Sequence, residues 1–96
     1  MPRLENWSIV GNLNHQYQAP DSETSRLEGI IFDDELKRFS DGRGVTTSRL
    51  VELDLENKIA QTKNTKYKLG EPYPNYLKWL EENNMTLKQY NYQTQK

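Results

Sequence analysis

From Val51 to Glu56 apolar and acidic residues alternate without a break, with Val51, Leu53 and Leu55 on one side and Glu52, Asp54 and Glu56 on the other. A period of two is the signature of a half-buried strand, because successive side chains point to opposite faces. Extended backwards, the register puts Val45, Thr47 and Arg49 on the inner side, where Arg49 is an oddity. Glu56-Asn57-Lys58 reads as a turn, residues 59–62 as a second strand, Lys63-Asn64-Thr65 as another turn, and residues 66–69 as a third strand closed by Gly70. Three short strands at this spacing make a β-meander. A helix over 48–62 is the rival reading, since Val51, Leu55 and Ile59 are four apart. The unbroken alternation and the two turns favour strands.

Upstream, residues 7–11 and 26–32 read as two more strands, with a polar loop over 12–25 that turns at Pro20-Asp21-Ser22. Residues 33–39 suit one helical turn, acids first and bases last, with Leu36 and Phe39 pointing inward together. Beyond Gly70, Pro72 and Pro74 break the sheet, and Pro74 fits the first position of a helix. Tyr73, Tyr76, Leu77 and Leu80 recur at helical spacing, so a short amphipathic helix is expected over about 74–83, with Trp79 at the border of its apolar stripe. Thr86 and Gln89 match a capping box, flanked by Met85 and Tyr90, where a second short helix could begin, but only ten residues remain. The expectation is a mainly β (α+β) fold: a five-stranded SH3-like or OB-like barrel with a C-terminal helix. It forms one domain over residues 1–90, with 91–96 a frayed tail.

Composition narrows the functions open to such a barrel. Leu, Ile, Val and Phe make up only 20 of 96 residues, and ten aromatics supply the apolar area this withholds. Thirteen basic residues face 14 acidic ones, divided into an acidic first half and a mildly basic second half. General DNA binding through phosphate neutralisation needs a larger basic excess. The chain has no cysteine, which excludes disulfides, thiolate-held metals and thiol nucleophiles. No apolar run is long enough for a membrane span and no signal peptide is visible, so a soluble, cytoplasmic protein is expected.

Few residues offer chemistry. His15, the only histidine, lies in a polar loop and reads as a surface residue. The acids Asp33, Asp34 and Glu35 fit a helix N-terminus better than a cation site, whose ligands come from separated positions. No nucleophile–base pair, metal set or cofactor motif is visible, so neither catalytic nor metal-binding residues are expected. Residues 39–49 are the most suggestive segment. Gly42 and Gly44 free backbone amides, Arg43 and Arg49 offer paired donors, and Thr46, Thr47 and Ser48 offer hydroxyls, all suited to an anion. The alternative is a hairpin turn running into a Thr-rich strand; neither a Walker A loop nor a dinucleotide fingerprint is matched. Lys63, Lys66 and Lys68 fit a solvated face with Tyr67 turned into the core. Tyr73 and Trp79 are aromatics the core can spare for stacking or an interface.

The strings Phe39-x-Asp41-Gly42 and Val45-Thr46-Thr47-Ser48-Arg49, then Thr62-x-Asn64-Thr65-x-Tyr67-x-Leu69-Gly70-Glu71-Pro72 and Tyr76-Leu77-x-Trp79-Leu80, resemble small phage and prophage proteins over residues 26–84. The resemblance implies an accessory role such as countering host defence, and by analogy an oligomeric sponge for a nucleotide signal. The expected function is therefore a homo-oligomer that captures an anionic, nucleotide-like ligand through Arg43, Thr46, Thr47, Ser48 and Arg49, with Tyr73 or Trp79 stacking on it. The alternative is a module that inhibits a host protein through the aromatic helix and the acidic half.

Overall fold

The computed structural model describes residues 1–11, 16–18 and 25–91. Its elements are β1 (Arg3–Val10), β2 (Arg26–Phe32), β3 (Arg43–Asp54), β4 (Ile59–Thr62), β5 (Lys66–Leu69), α1 (Pro74–Glu82) and β6 (Tyr90–Asn91). Strands β1 to β5 pair in chain order, each antiparallel to the one before. With five strands in such a meander, the first and last run the same way, so the ring closes by a parallel pairing, Arg3 with Lys68 and Leu4 with Leu69. The product is the expected small five-stranded barrel with a short helix behind it. No helix among the described residues is long and apolar enough to cross a membrane.

The interior is filled by Leu4, Trp7, Ile9, Leu27, Ile31, Leu50, Leu53, Ala60, Tyr67 and Leu69 from the ring, with Tyr76 and Leu80 from α1 and Tyr90 from β6. Four of these thirteen are aromatic, which is how so few aliphatic residues close a core. Their polar ends are satisfied: Trp7 Nε1 donates to the Gly70 carbonyl at 2.9 Å, and the Tyr76 hydroxyl donates to the Gln18 carbonyl at 2.6 Å. Burial pushes the Tyr76 phenol far above its ordinary pKa. Tyr67 is buried while Lys66 and Lys68 face outward, as the sequence leads one to expect.

Strand β3 departs from the simple alternation. Its buried residues are Thr47, Leu50 and Leu53, three apart, while Val51 is only half-buried and Leu55 packs at the core's margin. Two bulges cause this. Between Glu28 and Arg26 β2 advances two residues and β3 three, and between Leu50 and Glu52 β3 advances two while β4 advances one. Each inserts one β3 residue and switches the face that follows, so Leu50 replaces Arg49 and Val51 in the interior.

Four other expectations are corrected. Residues 33–39 form turns, with Leu36 74% exposed. Here the Asp34 carboxylate accepts the amides of Arg38 and Phe39, and Lys37 adopts a left-handed φ of 54°, which ends any helix. The capping box at Thr86 opens no helix. Instead Gln89 accepts the Glu56 amide through its side chain, and Tyr90 is buried as β6 pairs with Leu53 and Glu52 of β3. On α1 the fully buried residues are Tyr76 and Leu80, and Trp79 is half-buried against the core, whereas Leu77 is 43% exposed. Strand β1 begins four residues before the expected start. His15, the turn at 20–22 and residues 92–96 lie outside the described residues.

The bulged register has a direct consequence for stability. Leu50→Ala is expected to cost about 2–5 kcal/mol, the range for emptying a full core position. Val51→Ala is expected to cost about 1 kcal/mol. Urea denaturation of both variants distinguishes this from strict alternation, which predicts the reverse order.

Candidate functional site

The barrel carries an open cleft of about 460 Å³ on the face made by β1, β2 and the start of β3. A third bulge shapes it. Between Glu5 and Ser8 β1 advances three residues while β2 advances two, and Asn6 at the bulge takes a left-handed φ of 50°. Gly29 on β2 makes room for this distortion: a Cβ there would stand 3.1 Å from the Glu5 carbonyl and 3.3 Å from the Trp7 Cα. Asn6 and Ser8 therefore line the cleft from β1, Glu28 and Ile30 from β2, and Gly44, Val45 and Thr46 from β3.

Two tyrosines complete its walls. Tyr73 is fixed at the start of α1, where its amide donates to the Trp7 carbonyl at 2.7 Å, and the residue remains 38% exposed. Tyr17 bridges to Val10, while the Gln18 amide donates to Ile9. The Tyr17 ring packs on Tyr76 at 5.2 Å and edge-on to Trp79 at 5.9 Å. Its phenol is pushed above the ordinary tyrosine value by burial first, then by the charges of Tyr73 and Glu28. Across the β2–β3 ladder, Thr46 donates its hydroxyl to Glu28 Oε2 at 3.3 Å. None of the described lining residues is Lys or Arg.

The fold separates the residues singled out for anion binding. Thr46 and Tyr73 line the cleft. Thr47 points inward, where its Oγ1 accepts the Leu27 amide at 3.1 Å and donates to the Ser48 carbonyl at 2.7 Å. Ser48 Oγ accepts the Asn64 amide on the β4–β5 hairpin. Arg49 lies across from Arg26 in the β2–β3 ladder, and Arg26 donates to the Thr47 carbonyl at 3.2 Å. Arg43 is exposed, with its guanidinium 5.5 Å over the Phe39 ring. Trp79 is half-buried and stacked on Tyr76 at 6.1 Å, so it supports Tyr17 from behind. The sequence reading missed Asn6, Ser8, Tyr17, Glu28 and Ile30. A trace of the cleft was available in Gly29 and Gly44, since a glycine inside a strand pattern marks a bulge or a close approach.

The acidic loop is organised around an ion pair. Asp34 is buried and receives Arg38 through Nη2 at 3.1 Å and Nε at 3.3 Å. Among the described residues no three His, Cys, Asp or Glu side chains gather to hold a metal ion. No family model matches the chain, and no curated protein or solved structure matches it.

Asp34 gives the fold an acid-sensitive anchor. The Arg38 side chain holds its carboxyl below the ordinary aspartate value, the amides of Phe39 and Arg38 add to this, and desolvation opposes it. A depressed folded-state pKa contributes stability that is present above the unfolded value of about 4 and lost as pH falls through the folded value. Thermal melts between neutrality and strong acid are expected to show this loss, and Asp34→Asn is expected to flatten the acid-side slope. An unchanged slope in the variant would show that other carboxylates govern it.

Proposed function

We propose that the protein is a non-enzymatic binding module of the phage accessory type, which captures a small nucleotide-like ligand in the cleft between Tyr17 and Tyr73. The observation that carries this is the cleft itself. Its volume falls within the roughly 300–1,000 Å³ typical of small-ligand sites, and two tyrosines, two glycines and a few polar groups line it. Aromatic walls suit a ring, and Glu28, Thr46 and Asn6 suit its polar edge. The described lining residues include no Lys or Arg, which suits the cleft to the ring and sugar of such a ligand, with its phosphates outside. Arg43, next to Gly44 on β3, is the nearest basic residue along that strand to meet them. A second copy of the chain covering the open side would enclose the ligand further, as a homo-oligomeric sponge requires.

The exposed side of the helix supports a second reading. Tyr73, Leu77 and Met85 are 38%, 43% and 40% exposed, apolar groups suited to inhibiting a host protein.

Titration calorimetry with nucleosides, mononucleotides, cyclic dinucleotides and ADP-ribose tests the first reading. At least one is expected to bind more tightly than about 100 µM, or roughly −5.5 kcal/mol, and Tyr73→Ala is expected to weaken it at least about tenfold, about 1.4 kcal/mol. A panel without a single binder overturns the ligand reading. A stoichiometric host protein co-purifying through Leu77 would then establish the second.

A further inference from the structure

Gly44 lies inside a strand, where glycine weakens pairing and offers no side chain to pack. The fold does not require a glycine there. Gly42 has a φ of 86°, a backbone that other residues adopt only with strain, and at Gly29 a Cβ would press on β1 backbone. Neither condition holds at Gly44: its φ is outside the left-handed range, and a Cβ there would meet no atom of the described residues within 4 Å. The space that Cβ would occupy belongs to the cleft.

We propose that Gly44 is a ligand-contact position, and that a guanine-type base lies flat over the β3 backbone at Gly44 and extends along the strand as far as the Thr46 side chain, its donor edge turned to Glu28. This rests on the cleft being the ligand site. The register supplies the dimensions. Gly44 pairs with Ile30, and Thr46 with Glu28. The two pairs stand two residues apart, about 7 Å along the strand, which is the span of a fused two-ring heterocycle. A side chain at position 44 would lift such a ring off the strand, whereas glycine admits it to backbone contact.

The charge of the wall selects the ring edge. A carboxylate only accepts hydrogen bonds, at about four lone-pair positions across its two oxygens. It therefore favours a ring with adjacent N–H donors, as guanine presents at N1 and N2. Adenine places the N1 lone pair beside its amine and meets the carboxylate with repulsion, and cytosine does the same through N3. The Thr46 hydroxyl, already directed at Glu28, holds the carboxylate toward the cleft.

The test is an NMR titration of the full chain with guanosine and, separately, adenosine, alongside melting temperatures for the wild type, Gly44→Val, Glu28→Gln and Tyr73→Ala. Guanosine is expected to shift the amides of Gly44 and Glu28 and to bind at least about tenfold more tightly than adenosine. Gly44→Val is expected to melt at or above the wild-type temperature, because a β-branched residue favours a strand, while losing guanosine binding at least about tenfold. Glu28→Gln is expected to erase the preference for guanosine. If Gly44→Val binds guanosine normally while Tyr73→Ala does not, the contact at position 44 is wrong and the cleft reading stands. A Gly44→Val chain that melts lower overturns the inference, because the glycine would then serve the fold. Tighter adenosine binding overturns the choice of base. If neither nucleoside shifts a cleft amide, the base-binding inference fails, and the nucleotide panel above decides the cleft reading separately.

Discussion

Closure of an odd-numbered meander is the constraint on which the rest of this structure depends. Five antiparallel strands leave β1 and β5 parallel, and only two residue pairs join them. The seam is reinforced where β1 runs past the end of β5. Trp7 Nε1 donates to the Gly70 carbonyl, the Glu71 amide donates to Glu5 Oε1 at 3.0 Å, and the Tyr73 amide donates to the Trp7 carbonyl. Gly70 fits because a Cβ there would collide with the Glu5 carboxylate. This one seam closes the core and sets the start of α1. It also delivers Tyr73 to the cleft.

The same stretch of β1 links stability to the site. To turn Trp7 into the core beside the seam, β1 inserts a residue, and the insertion leaves Asn6 in a left-handed conformation at the cleft wall. Gly29 admits the bulge from the opposite strand. Behind the other wall, Trp79 and Tyr76 stack, and Tyr17 rests against both. The cleft walls thus rest on the core's own contacts, the arrangement that lets a small barrel present a preformed surface.

How far the sequence could be read follows from which features are local. The β2 strand and the helix after Pro74 were legible because turn residues and hydrophobic spacing lie within each segment. The β3 bulges were not, because they arise from mismatched advance between partners: Thr47 fills the interrupted ladder by accepting the Leu27 amide, a contact twenty residues distant. Alternation at 51–56 therefore named Val51 as core where Leu50 takes that place. The Asp34 loop misled for a similar reason, since a carboxylate gathering two amides and a guanidinium leaves the same acid-then-base pattern as a helical turn. The cleft draws on five separated stretches of chain, and no contiguous motif encodes it.

The bulge at Thr47 and Ser48 also explains why the most suggestive segment does not form one site. Three successive hydroxyl residues on a regular strand alternate between two faces. With an extra residue among them they take three directions: Thr46 to the cleft, Thr47 to the core, and Ser48 to the β4–β5 hairpin. The first two make the β2–β3 ladder continuous across the irregularity, so their polarity serves the strand pairing. The proposed contact falls instead on the segment's least conspicuous residue. Gly44 pairs with Ile30 through its backbone, yet a Cβ there would meet no atom of the described residues within 4 Å, and strands favour side-chain-bearing residues over glycine. A local choice that works against the strand without serving the fold is the kind of inconsistency expected at a working surface.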